Sequence, residues 1–509
     1  MRSICIPHTE LPGTTRLFGD YLHHFHRVSR FYAHDPHEPD SVRRAAWSIR
    51  YPDERRQRLV DALRKLNGES EALAALELPD TVVVATGQQT GLFGGPAYTL
   101  YKALTAAKLA RQLTASGVRA APVFWMATED HDFDEVKSVQ VLDAGSAIRR
   151  LEAAGERQPG QPVGGVRIAS APLTELAEAL RGYLHGDDVV SLVEECYQSG
   201  RTFGEAFLML LKRLLAGYGL IFLDPMMPEI RAIAAPFLES AYQQQARLAS
   251  LVEERNRELE AAGYHTQVLF DRKPSFFFKL EGGLRVPAGD PPADPSLLSP
   301  NALLRPVMQD YILPTAAYVG GPAELAYLAQ SQPVYEALLG RMPVAAPRAG
   351  FTLLDERARS LMERHNISIL DCFHGEAALR DRIAARLIPE QLHIGFEDAA
   401  SDIRNALDKL LGPIERFDPT LGEAWKKSRE KILYQIEKNR KKAAREALRR
   451  QERVEAAAAH LAALVYPNRH LQERAYSILP FLARHGFGLL DSLYEKINAG
   501  CPDHLVTTI

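Results

Sequence analysis

Residues able to do chemistry gather at three places along this chain. The first is Phe124-Trp125-Met126-Ala127-Thr128-Glu129-Asp130-His131-Asp132-Phe133-Asp134-Glu135, where five carboxylates and one imidazole follow an apolar run. Acids so placed could hold a substrate amine, bind Mg²⁺ through oxygen or act as general base. Glu129, His131 and Asp132 follow the run most closely and are the candidate catalytic residues; a solvated loop capping a helix is the alternative. The second place is Thr86-Gly87-Gln88-Gln89-Thr90-Gly91-Leu92-Phe93-Gly94-Gly95-Pro96. Its glycines permit close backbone approach, and Gln88, Gln89, Thr90 and Thr99 offer hydrogen bonds. Lys102 lies in the first two turns of the helix that follows, and Pro96 opens it, where a missing N–H costs nothing. No Gly-Lys-Ser/Thr closes this turn and no dinucleotide fingerprint is present, so it is neither a Walker A loop nor the usual Rossmann turn. A tight turn using glycine only for its backbone is the alternative. The third place, Tyr318-Val319-Gly320-Gly321-Pro322-Ala323-Glu324, repeats the Gly-Gly-Pro-Ala turn. Arg305 before it and Arg348 after it each offer a bidentate clamp for a carboxylate or phosphate, or a structural arginine.

These groups converge only if the elements before them belong to one sheet. Apolar β-branched runs precede each turn, and strand–helix alternation argues for a doubly wound parallel α/β sheet. Strands are expected at 81–86, 121–128, 219–224, 311–319 and 344–354, with helices at 96–116, 229–262, 323–330 and 355–365. Ligands of such sheets bind at the carboxyl edge, and a helix N-terminus there carries roughly half a positive charge. Two such starts facing one crevice suit an enzyme. The expected organisation is N-terminal helices and the first part of the core over 1–142, an inserted connective region over 143–217, core over 218–266, and a second insertion over 267–304. Core resumes over 305–390, a coiled coil covers 391–470, and a helical return closes 471–509.

The coiled coil shows in Ile403, Leu407, Leu410, Ile414, Phe417 and Leu421, spaced four and three apart. Asp418-Pro419 breaks the first helix, and a second is expected over 420–465 through Ile432, Ile436, Ala443, Ala447, Val454, Leu461 and Leu464. Arms of such unequal length leave apolar positions without a local partner, which predicts a homodimer. Residues 426–453 hold twelve Lys/Arg against four Asp/Glu, a net +8, leaving −11 on the rest of a chain of net −3. A nucleic-acid partner is not expected: aromatic residues are sparse beside that basic stretch, and the acidic body would repel a polyanion. With 509 residues, 46% hydrophobic and 25% charged, the chain reads as several globular units. The absence of a signal-type N-terminus or a long apolar run predicts a cytoplasmic protein without a membrane span. Cys5, Cys196, Cys372 and Cys501, far apart, read as buried free thiols.

Taken together, Thr-Gly-Gln-Gln-x-Gly-Leu-Phe-x-Gly-Pro, the following Tyr-x-x-x-Lys, Phe-Trp-x-Ala-x-Glu-Asp-His-Asp-Phe-Asp-Glu, Arg-Pro-x-x-Gln-Asp and Leu-Pro-Thr-x-Ala-Tyr-Val-Gly-Gly-Pro resemble the cysteine-adding enzyme family of bacillithiol biosynthesis. The resemblance spans essentially the whole chain. It implies a ligase joining cysteine to glucosaminyl-malate, and a sheet similar to that of class I adenylate-forming enzymes with connective insertions and a dimerising coiled coil. It also implies an adenine nucleotide, ATP or ADP, as cofactor, with the metal unknown. On these motifs the substrate-binding set becomes Gly87, Gln88, Gln89, Gly91, Gly94, Gly95, Pro96, Thr99, Tyr101, Lys102, Arg305, Gln309, Asp310, Thr315, Tyr318, Gly320, Gly321 and Arg348. One departure stands out. Class I adenylating enzymes hold phosphates with a His-x-x-His-type turn, and here Phe93-Gly94-Gly95-Pro96 occupies that place. A nucleotide-dependent small-molecule transferase using the same crevice is the alternative.

Overall fold

The computed structural model describes residues 3–38, 40–269, 276–290, 292–385, 390–449, 452–498, 501 and 503–509, the side chains of 447–449 and 452–454 excepted. It separates into a sheet unit, 2–352 with 472–507, and a helical unit, 353–471 with residues 1 and 508–509.

Five parallel strands form the centre of the sheet unit: β1 (Val82–Gln88), β2 (Ala120–Met126), β3 (Ile221–Leu223), β4 (Thr315–Gly320) and β5 (Val344–Pro347). Their order is β5-β4-β1-β2-β3, all parallel, so the winding reverses between β1 and β4. Alternate residues of a strand face opposite sides, and here each side has its own core. Val82 and Val84 pack with Ala106 and Ala110 of helix α1 (Tyr98–Ala115). Val83 and Ala85 join a larger cluster on the other side with Leu59, Ile230 and Leu325. Two further helices matter for the site: α2 (Arg305–Ile312), before β4, and α3 (Pro322–Leu339), after it.

Several expected boundaries move. The run 229–262 is two helices, Pro228–Gln243 and Gln245–Ala261. Tyr311 belongs to α2, since Pro306 near its start favours a helix there, and β4 begins only at Thr315. The run 344–354 breaks into β5 and a separate strand, Phe351–Leu354, because the chain turns at Arg348-Ala349-Gly350. The insertion over 143–217 holds paired strands Ala154–Glu156 and Arg167–Ser170 and three helices. That over 267–304 is an antiparallel sheet of Phe277–Glu281, Leu284–Pro287 and Leu298–Pro300. Beyond the helical unit the chain returns to the sheet unit, where residues 504–507 pair with Ser3–Ile6. Cys196 and Cys372 are buried, but Cys5 is exposed and its thiol meets that of Cys501, correcting the expectation of four buried thiols.

In the helical unit α4 (Glu390–Phe417) and α5 (Pro419–Arg449) form a hairpin. The Asp418 carboxylate accepts the Thr420 N–H at 2.7 Å at the turn, and the Trp425 indole N–H donates to the Leu407 carbonyl at 3.0 Å across the seam. Leu461 and Leu464, expected to lack local cover, are buried in Glu452–Val465, which packs against Glu356–His365, Ile369–Cys372 and Glu376–Ala385. The chain's own helices cover that end. The Val454 and Ala447 side chains and residues 450–451 lie outside the described residues. Among the described residues no helix is long and apolar enough to cross a membrane.

Candidate active site

The carboxyl ends of β1, β2, β4 and β5 open on a cleft of about 600 Å³ at the reversal of strand order, where doubly wound sheets hold ligands. Carboxylates that follow β2 line one part of it, with Arg285 among them, and cations another, with Glu324 among them.

On the acidic side, β2 delivers Trp125 and Ala127 and then Glu129, Asp130 and Glu135. Glu129 is 2% exposed; its Oε2 accepts from the Ser299 hydroxyl at 3.0 Å and faces an Arg231 nitrogen at 3.4 Å. Its Oε1 has no partner, nor has the indole N–H of Trp125. An unmatched acceptor and an unmatched donor thus belong to the wall of one cleft, each a group that costs about 1–3 kcal/mol to bury unpaired. The Gln89 amide donates to Asp130 at 2.6 Å and to Glu135 at 2.9 Å, tying the β1 turn to the acids. Arg285, from the antiparallel insertion, lies 4.1 Å over the Phe278 ring and 4.0 Å from Asp130. Burial pulls its guanidinium below its ordinary range, against the pull of Glu129 and Asp130. His131 meets Arg285 through Nδ1 at 3.1 Å, beside Phe278 and outside the cleft lining. Asp132 caps the short helix Phe133–Val136, accepting the Glu135 N–H at 3.2 Å.

The basic side holds Lys102, Arg305, Arg348 and Arg474, all but Arg305 around Tyr98. The Tyr98 ring lies 5.2 Å from Arg348, 5.6 Å from Arg474 and 5.6 Å from Lys102. Burial raises its hydroxyl, although both arginines pull the other way. Lys102 donates to the Gly87 carbonyl at 2.9 Å and Gln88 Oε1 at 2.8 Å, and pairs with Glu324 at 2.5 Å. Burial pulls the ammonium down against the raising effect of Glu324. Burial also opposes charge on Glu324, but Lys102, the Gly321 N–H and the Tyr318 hydroxyl hold its carboxyl below the usual range. Arg305 donates to the Tyr327 hydroxyl at 2.8 Å. Arg348 forms two bonds to Glu473, at 3.0 and 2.5 Å.

The two glycine turns differ. Gly87, Gln88 and Gln89 line the cleft, whereas Gly91, Gly94, Gly95, Pro96 and Thr99 do not. The Gly94 N–H donates to the Tyr197 hydroxyl at 3.3 Å, and the Gly95 N–H to the Leu92 carbonyl at 2.9 Å. Those donors serve the protein itself, with Tyr197 arriving from the 143–217 insertion. At the second turn Gly321, Pro322 and Ala323 line the cleft, and the Gly321 N–H is taken by Glu324 at 2.9 Å. Gly320 has no room for a Cβ, which would lie 2.8 Å from Leu325. Tyr318 supports the floor by donating to Glu324 at 2.6 Å. Tyr101, Gln309, Asp310 and Thr315 are buried away from the cleft. Tyr101 packs edge-on to Phe351, and Asp310 accepts the Tyr335 hydroxyl at 2.5 Å. Burial raises the Asp310 carboxyl.

Lining residues outside the expected set include Tyr98, Arg285, Glu324, Tyr327 and Arg474, while Asp130 and Glu135 stood in the acidic cluster without being singled out. Glu324 had a signal, standing three residues after the residue that caps α3. Arg285 and Arg474 arrive from an insertion and from beyond the helical unit, and no local pattern points to them. Among the described residues no group of three His, Cys, Asp or Glu could hold a metal ion.

Comparison with known proteins identifies the family. Residues 1–288 and 292–349 match the family described as bacillithiol biosynthesis BshC, N-terminal Rossmann-like domain, and 351–509 match its C-terminal coiled-coil domain. A protein of Solibacter usitatus named "Putative cysteine ligase BshC" is 46% identical over the full length of both chains. Proteins of the same name from Koribacter versatilis, 36% identical over 99% of each chain, and Symbiobacterium thermophilum, 32% over 94% of each, are also similar. The chain belongs to the BshC family of bacillithiol biosynthesis.

Proposed function

We propose that this chain is a cysteine ligase that joins the carboxylate of cysteine to the glucosamine amine of glucosaminyl-malate, giving bacillithiol. The carrying observation is one cleft lined by both carboxylates and cations, which suits substrates bearing both an amine and carboxylates. The names of the full-length relatives support the same reading. Arg305, Arg348 and Arg474 receive the anionic end, malate or phosphate, and Asp130 and Glu135 face the amine. The unpartnered Oε1 of Glu129 accepts the proton that the amine must lose to attack.

Amide formation from a free carboxylate is uphill in water, and an adenine nucleotide supplies the activation when bound. The guanidinium groups of Arg305, Arg348 and Arg474 would hold its phosphates, and the unmatched Trp125 N–H offers a further donor. The first glycine turn does not fit phosphate, because the Gly94 and Gly95 N–H groups are already bonded. The test is bacillithiol formation from cysteine and glucosaminyl-malate, followed by mass spectrometry with and without ATP and Mg²⁺. Folded protein that makes no product under any nucleotide condition sinks the reading. We further propose a cytoplasmic homodimer through the α4–α5 hairpin, which leaves Leu410, Phe417, Leu421 and Ile432 exposed on a single chain.

A further inference from the structure

We propose that Glu473 is a positioning residue of the cleft, holding Arg348 by two parallel N–H···O bonds so that the guanidinium faces the anionic end of the substrate. This rests on the ligase reading for the identity of that anion. Arg348 lines the cleft and Glu473 does not, so Glu473 acts through it. The pair is almost wholly buried, Glu473 at 1% and Arg348 at 8% exposed. Glu473 is fixed from a third direction by the Phe351 N–H at 2.9 Å. Behind it the packing is tight: a Cβ on Gly350 would lie 2.6 Å from His504 Nδ1 and 3.3 Å from Glu473 Oε2. A packed apolar pair would fill such a site at least as stably as two desolvated charges. The charges are explained by orientation: a fork held at two nitrogens presents its remaining edge in one direction.

The clamp also has an unexpected origin. Glu473 and Arg474 follow the helical unit in sequence yet belong to the sheet unit, and Arg474 itself lines the cleft. The segment 472–507 therefore completes a site that the first 352 residues leave short of one cation and one clamp.

The test is a double-mutant cycle on the full-length protein, with malate as the calorimetric probe and KM for each substrate as the kinetic readout. E473Q keeps the volume but loses one charged bond, so malate binding and KM for glucosaminyl-malate should weaken roughly tenfold. KM for cysteine should stay within about twofold, and E473D should recover part of the loss. In an R348A background, E473A should change malate affinity by less than about twofold, since the group it positions is gone. Equal losses from E473A in both backgrounds, or equal KM shifts for both substrates, would overturn the proposal. If E473A does not fold, E473Q and R348A/E473Q complete the same cycle. Malate binding that follows the cycle in a protein making no bacillithiol leaves the clamp standing and removes the ligase reading. Bacillithiol formation unchanged by E473Q does the reverse.

Discussion

Lys102 and Glu129 are both buried charges at the cleft, and they are satisfied to different degrees. Lys102 meets Glu324, Gln88 and the Gly87 carbonyl, so all three of its donors have partners. Replacing it by methionine leaves Glu324 buried with two neutral donors and no bonded cation. The expected cost is about 3–5 kcal/mol, measured by denaturant unfolding, because an uncompensated buried charge outweighs the loss of the pair itself. Glu129 instead keeps one oxygen bare. Glu129→Gln should lower kcat by about 100-fold, the usual scale of a lost general base, with only a small change in melting temperature. Full activity in that variant would return Glu129 to a structural partner of Arg231. Asp132→Asn should be active, since asparagine caps a helix about as well as aspartate. The candidates around 129–132 were legible as a cluster but not as individuals. Only packing shows that Asp132 caps, that His131 meets Arg285, and that Asp130 faces the cleft.

At the scale of elements, the glycine turn after β1 shows what local pattern can and cannot say. Strand, turn and helix were readable from β-branched residues, glycines and Pro96. Whether the turn's N–H groups point to a ligand depended on Tyr197, over a hundred residues away. Gly94 and Gly95 adopt φ of +85° and +69°, where a side chain is strained. Gly94→Val or Gly95→Val should therefore cost stability, about 1–2 kcal/mol each from the backbone alone. KM for both substrates should hardly move. A large rise in KM with unchanged melting temperature would show that the turn binds the anion after all. The break between β5 and Phe351–Leu354 teaches the same lesson: an apolar run reads as one strand, while the turn that brings Arg348 to the cleft answers to Glu473.

Over the whole molecule, ends far apart in sequence meet. Residues 504–507 pair with the N-terminal strand, and the His8 ring stands 5.8 Å from that of His504. Burial first, then the charge of His504, pushes the His8 imidazole down to about 3, although Glu473 pulls it up. Such a depressed value means that the unfolded chain takes up a proton below about pH 6.5 while the folded chain does not. Stability from this group is then complete above about pH 6.5 and drains away as the pH falls toward 3. Between pH 7 and pH 5 the loss is about 2 kcal/mol. Unfolding of His8→Leu should be less pH-dependent by that amount, and an unchanged slope would show that His8 does not carry the effect. Burial also opposes charge on Glu473, but Arg348 and His504 hold it at about 2, so the clamp stays ionised through this range. The hairpin of α4 and α5 buries no residue of α4. Sedimentation should give a dimer, and Ile432→Glu with Ile436→Glu should give monomers, because each glutamate would carry an unpaired charge into the seam.

The sequence by itself determined the sheet's strand–helix alternation, the coiled-coil hairpin and the regions that carry the chemistry. Each of these rests on short-range regularities: period two in strands, alternating fours and threes in the seam, proline and glycine at turns. The tertiary structure alone decided which charged groups share the cleft. Arg285, Arg348 and Arg474 are brought there, and Glu473 behind Arg348, by pairings across long stretches of chain, with partners up to 154 residues distant. A charge at a sheet edge looks the same in sequence whether it faces solvent, a ligand or another charge; burial and the geometry of its partners make the difference.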